Sequence, residues 1–207
     1  VNELKAQGLY HSTLIVITAK HGQSPIDPSR YVAQLKVGTS PATLLSNAGY
    51  IPWSESTNNS SGIGPTEDDV SLLWLNNSSD TQAGVDTLES NASATGIGLG
   101  QIYYGPSLTL NYNDPTVDPR TPDIIVTPNV GVTYSGSTAK QAEHGGFAHD
   151  DTKVMLLLSL PRFQPQTVRA AVGTAQVAPT VLKALGINPG SLDAVRAEGT
   201  AGLPIVP

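Results

Sequence analysis

The stretch Ser12-Thr13-Leu14-Ile15-Val16-Ile17-Thr18-Ala19-Lys20-His21-Gly22 decides how this chain is read. After Ser12 the residues to Thr18 are aliphatic or β-branched, at strand length and without alternation. Such a run predicts a strand buried on both faces, as in a parallel sheet with helices on either side. Lys20 and His21 then stand at the strand's carboxyl end, where open α/β sheets concentrate their function.

Working outward, three more apolar runs predict strands: Val70–Leu75, Asp123–Thr127 between Pro122 and Pro128, and Val154–Leu160 before Pro161. Helical patterns alternate with them. Val1–Gly8 reads as the end of a helix, and Arg30–Lys36 as a short one. Ser40–Ala48 is capped by Ser40 with Pro41 at its first position. Asp80–Ala94 has helical character with Asp80 as a candidate cap. Ala175–Leu185 is amphipathic and ends at Gly186, and Ser191–Glu198 is a last short helix. Residues 51–66 read as a polar loop, and 96–121 as turns with short extended pieces. Gly131–Ser135 reads as a short strand, and 136–153 as a long loop rich in Gly, His and Asp. The tail Leu203–Pro207 is apolar and is expected to dock on the body. The whole predicts an α/β fold with a mainly parallel central sheet, flanking helices and an inserted irregular or α+β segment at about residues 39–120 of one 207-residue domain.

Composition narrows the function classes. The formal charge is −6, which argues against a binder of nucleic-acid duplexes. The longest apolar run, Val154–Leu158, is far below the roughly 18 residues of a membrane span. With no cysteine, disulfides, thiolate metal sites and cysteine nucleophiles are excluded. Five Asn-x-Ser/Thr triplets begin at Asn58, Asn59, Asn76, Asn77 and Asn91; they are glycosylation acceptors in a secreted eukaryotic protein, or simply polar surface.

The histidines are His11, His21, His144 and His149. Imidazole is a common ligand for zinc and similar ions, with carboxylates completing harder sites. His21 and His144 each precede a glycine, which allows a sharp backbone turn around an ion or a phosphate. A loop histidine bonded to nearby backbone is the alternative for each. Glu143, Asp150 and Asp151 can serve as ligands, as orienters of a ligand, or as solvated loop charge. Gly96-Ile97-Gly98-Leu99-Gly100 has the wrong spacing for a dinucleotide loop and reads as a flexible turn. Trp53, Trp74, Tyr103 and Tyr104 offer a sugar- or base-stacking surface, with packing in or near the core as the favoured alternative.

The segment Ser12–Gly22 resembles the strand-plus-Asp-His-Gly motif of the alkaline phosphatase superfamily, in particular its type I phosphodiesterase/nucleotide pyrophosphatase group. Arg120–Val126, Glu143-His144-Gly145-Gly146-Phe147 and Thr174–Leu182 resemble further segments of that group, in the same order. The resemblance implies a phosphoesterase whose divalent metals, usually zinc, polarise the ester and activate a Ser or Thr nucleophile. It implies His21 as ligand of one metal and His144 of another. Lys20 stands where the family has Asp. An ammonium does not ligate a cation, so Lys20 either replaces one metal's charge and binds substrate phosphate or marks a disabled site. The family's nucleophile and remaining ligands precede the segment matched here. The expectation is therefore the C-terminal portion of a secreted or periplasmic phosphoesterase, inactive without its N-terminal portion, with a companion N-terminal chain as one source of that portion. It would act on a phosphate ester or nucleotide-like small molecule. The competing expectation is a non-catalytic fragment or a binding module for a carbohydrate or protein ligand on the same fold.

Overall fold

The computed structural model describes residues 1–29, 40–51, 64–135 and 139–204. Among the described residues the strands are β1 (Ile15–Thr18), β2 (Ser24–Pro25), β3 (Thr66–Glu67), β4 (Ser71–Leu73), β5 (Leu99–Tyr104), β6 (Ile124–Pro128), β7 (Ala142–Glu143) and β8 (Leu156–Ser159). Helices are interspersed, so the fold is mixed α/β. The chain divides into two compact units, residues 1–20 with 154–207, and residues 21–153.

In the first unit β1 pairs with β8, Ile15 facing Ser159 and Thr18 facing Leu156. The helix Val177–Ala184 buries Pro179 and Thr180. Pro179 is tolerated because it falls in the first turn, where backbone N–H groups have no partner within the helix. Thr180 Oγ1 donates to the Gln176 carbonyl at 2.7 Å and accepts the Leu203 N–H at 2.7 Å. That bond seats Leu203, which is buried as expected of the tail.

The second unit is built on a four-stranded sheet in the order β3-β4-β6-β5. The helices Pro41–Asn47 and Thr81–Thr95 carry its core, in which Leu45, Leu73, Val85, Leu88, Ile124 and Tyr134 pack together. Ser40 caps the first helix, its hydroxyl accepting the Thr43 N–H at 3.2 Å, with Pro41 opening the helix. Glu67 is buried beside that helix start; its Oε1 accepts the Ala42 N–H at 2.9 Å and the Ser71 hydroxyl at 2.8 Å. A carboxylate suits a helix N-terminus, where the peptide dipoles leave partial positive charge. Asp123, also buried, accepts the Leu75 N–H at 2.8 Å and holds the end of β4 against the entry to β6.

Four expectations are corrected. Every strand ladder among the described residues is antiparallel, not mainly parallel. An apolar run marks burial but not direction. Direction follows from the connection, and the three residues between β3 and β4 permit only an antiparallel return. Second, Ile17 and Leu157 are 48% and 43% exposed, so β1 and β8 are not covered on both faces in their unit, whereas β6 is buried from Ile124 to Val126. Third, Val132–Ser135 are buried but irregular, without a strand, and the long loop after them contains β7 and the one-turn helix His149–Thr152. Fourth, Gly96 closes the helix Thr81–Thr95 in the left-handed conformation, and β5 begins at Leu99 where a flexible turn was expected. The helix expected over Arg30–Lys36 lies outside the described residues, as does Trp53.

Candidate functional site

The site sits in the second unit and is organised by the short ladder of β2 with β7, in which Ser24 faces Glu143 and Pro25 faces Ala142. The Ile26 N–H continues it to the Gln141 carbonyl at 3.0 Å. His21 precedes β2 and His144 follows β7, so antiparallel pairing carries both to the same end. Their rings stack, with centroids 4.3 Å apart and planes at 29°. His21 Nδ1 lies 2.8 Å from the Gly22 carbonyl oxygen. A carbonyl only accepts, so Nδ1 carries the hydrogen and Nε2 is the nitrogen left for a ligand. The His144 N–H donates to Glu143 Oε1 at 3.1 Å.

Glycine is needed here for two different reasons. A Cβ on Gly22 would lie 1.8 Å from the Asp150 carbonyl oxygen, because the Gly22 N–H reaches the Asp151 carbonyl at 2.6 Å. The reason there is close approach, not the sharp turn expected. At Gly145 the backbone does turn, with φ +98°.

Beneath the loop lie three carboxylates that are each at least 96% buried: Asp69, Glu143 and Asp151. Asp151 accepts the Ser24 hydroxyl, and the Asp69 N–H donates to the His144 carbonyl at 3.4 Å. Burial, then the Asp151 charge and a hydrogen bond shared with it, push the Asp69 carboxyl up to about 7. Asp69 therefore sits against a like group, which favours its protonated form. Glu143 behaves oppositely. Burial works to raise it, but hydrogen bonds from Lys140, Ser135 and the His144 N–H together hold it below the usual carboxylate range.

Of the residues singled out in the sequence, His21, His144, Glu143 and Asp151 stand together here. His149 and Asp150 are exposed and lie against each other, Nδ1 to Oδ1 at 3.3 Å. Lys20 is exposed and belongs to the first unit, as does His11, which sits edge-on to Tyr10. Sequence reading missed Asp69 and Ser24. Their signal was weak: a Glu-Asp-Asp run before a strand, and a serine outside any nucleophile turn. Among the described residues no group of three or more His, Asp or Glu side chains is placed to hold a metal ion. Two imidazoles are half of a four-ligand zinc set, and Asp69 and Asp151 are turned to each other. The residues present do not by themselves fit the metal centre that the resemblance implies.

The fold is mixed α/β, with short antiparallel ladders and interspersed helices. Among solved structures the chain is similar to human ectonucleotide pyrophosphatase/phosphodiesterase 5, with a TM-score of 0.57 and 15% sequence identity over 90% of this chain. The match spans 44% of that protein's chain. No protein-family model matches the sequence, and no curated protein matches it.

Proposed function

We propose that this chain contributes the His21/His144 half of a phosphoester-hydrolysing centre. The observation that carries the reading is the stacking of two imidazoles, from segments more than 120 residues apart, at 4.3 Å. In this proposal His21, through Nε2, is a ligand of one divalent metal and His144 of another, zinc in the first instance. The other ligands and the nucleophile lie outside these 207 residues, on a preceding segment or on a companion N-terminal chain. The substrate of this reading is a phosphate ester or nucleotide-like small molecule. The location that accompanies this reading is secreted or periplasmic, in keeping with a likeness to an ecto-enzyme.

The first unit supports a companion. A two-stranded ladder is marginal alone, and β1 with β8 leaves Ile17, Met155 and Leu157 each more than 40% exposed. Among the described residues β1 and β8 form a ladder of two strands, and these apolar groups suit pairing with further strands. On this reading the 207 residues alone do not turn over substrate.

Zinc titration followed by NMR of the histidine ring protons tests the proposal. The expected result is that the His21 and His144 signals both move, while those of His11 and His149 do not. Equal response of His11 and His149, or no response of either paired ring, would overturn it. Turnover of an aryl phosphodiester by the chain alone would overturn the need for a companion.

A further inference from the structure

The second unit also contains a half-open cavity of about 420 Å³ next to the carboxylate dyad, walled by β5, the turn after β6, and residues 147–150. We propose that this cavity binds a neutral carbohydrate of one or two rings, stacked against Phe147 and Tyr103 and hydrogen-bonded by Gln101, Asn129 and Asp150. The size falls within the roughly 300–1,000 Å³ of small-molecule sites.

The wall is built, not incidental. The register of β5 on β6 shifts between Leu99 and Ile102, a bulge that turns Gln101 out of the regular ladder. Glycines make that bulge possible. A Cβ on Gly100 would lie 2.6 Å from the Pro128 carbonyl oxygen, and one on Gly98 would lie 2.8 Å from Val132. The Gly98 carbonyl accepts the Asn129 N–H at 2.6 Å, and Thr127 Oγ1 accepts the Gln101 N–H at 3.0 Å. The glycine-rich stretch Gly96–Gly100 thus serves to bring Gln101 and Asn129 to one rim.

The chemistry of the rim selects the ligand. Phe147 is 41% exposed and meets Tyr103 edge-on at 5.8 Å, an aromatic platform outside the apolar core. Tyr104, the next residue, packs against that core instead. Among the described residues no Lys or Arg lines the cavity, whereas Asp69 and Asp150 do, with His149 held against Asp150. An anion is therefore repelled, and the cavity is not a second phosphate position. An organic ammonium would use the carboxylates but leave the amide N–H groups of Gln101 and Asn129 without acceptors. A sugar hydroxyl both donates and accepts, which matches amides and a carboxylate together, and the C–H face of a sugar ring matches the aromatic platform.

Saturation-transfer NMR and calorimetry with maltose, lactose and diacetylchitobiose, alongside adenosine and choline chloride, test the assignment. At least one disaccharide is expected to bind saturably. Phe147→Ala should weaken it about tenfold, the loss of one stacking contact; Asn129→Ala should also weaken it, and Phe147→Tyr should retain it. His144→Ala should leave it unchanged, which separates this site from the proposed metal centre; circular dichroism confirms that each variant is folded. Failure of all three sugars to bind, binding that survives Phe147→Ala in full, or binding of adenosine or choline through Phe147 in place of the sugars would overturn the proposal.

Discussion

Replacing Gly146 by alanine tests the buried dyad directly. The added Cβ would lie 1.8 Å from Asp69 Oδ2 and 2.9 Å from Asp151 Oδ2, far inside ordinary contact. Neither carboxylate can swing aside cheaply. Asp151 is tied to Ser24, and both are surrounded by protein. Making room separates the two carboxyls at a cost of about 1–3 kcal/mol for a buried polar group that loses its partner. Overpacking adds roughly 1–3 kcal/mol more. A loss of about 3 kcal/mol lowers the melting temperature by roughly 6–12 °C for a chain of this size. Thermal denaturation by circular dichroism, in the wild type and in an Asp69→Ala background, measures it. With the clashing carboxylate removed, the alanine should cost much less, so the two changes should be strongly non-additive. A melting temperature for Gly146→Ala within about 1 °C of the wild type, or equal losses in both backgrounds, would refute the packing described here.

Two further outcomes follow from the same unit. Asp69 has its carboxyl raised from 3.8 to about 7, so the folded chain binds more protons than the unfolded chain between those values. Its contribution to stability is fully present below about pH 4 and is lost as the pH rises through about 7. Denaturant unfolding across that range should show the decline, and Asp69→Asn should flatten it. Ser40→Ala removes the cap of the helix Pro41–Asn47 and should cost about 1 kcal/mol in the same assay.

Much of the local structure was legible in the residues. Ser40-Pro41 announced a helix start and Gly186 a helix end, and the run at Asp123–Thr127 announced a buried strand. These signals act within a few residues, through hydrogen bonds of a side chain to nearby backbone or through the absence of a Cβ. The pairs His21-Gly22 and His144-Gly145 were equally visible, but the reasons for their glycines were not the same. Gly145 turns the backbone, whereas Gly22 makes room for a chain segment that is distant in sequence.

What the tertiary structure alone decided is the direction of the strands, the partners of the charged groups and the company each histidine keeps. Hydrophobic runs state that a segment is buried without stating which neighbour covers it. The same Asp residue is solvated at position 150 and buried beside Asp69 and Ser24 at position 151. An ionisable side chain takes its properties from burial and from the charges around it, and those neighbours are brought together only when β2 meets β7.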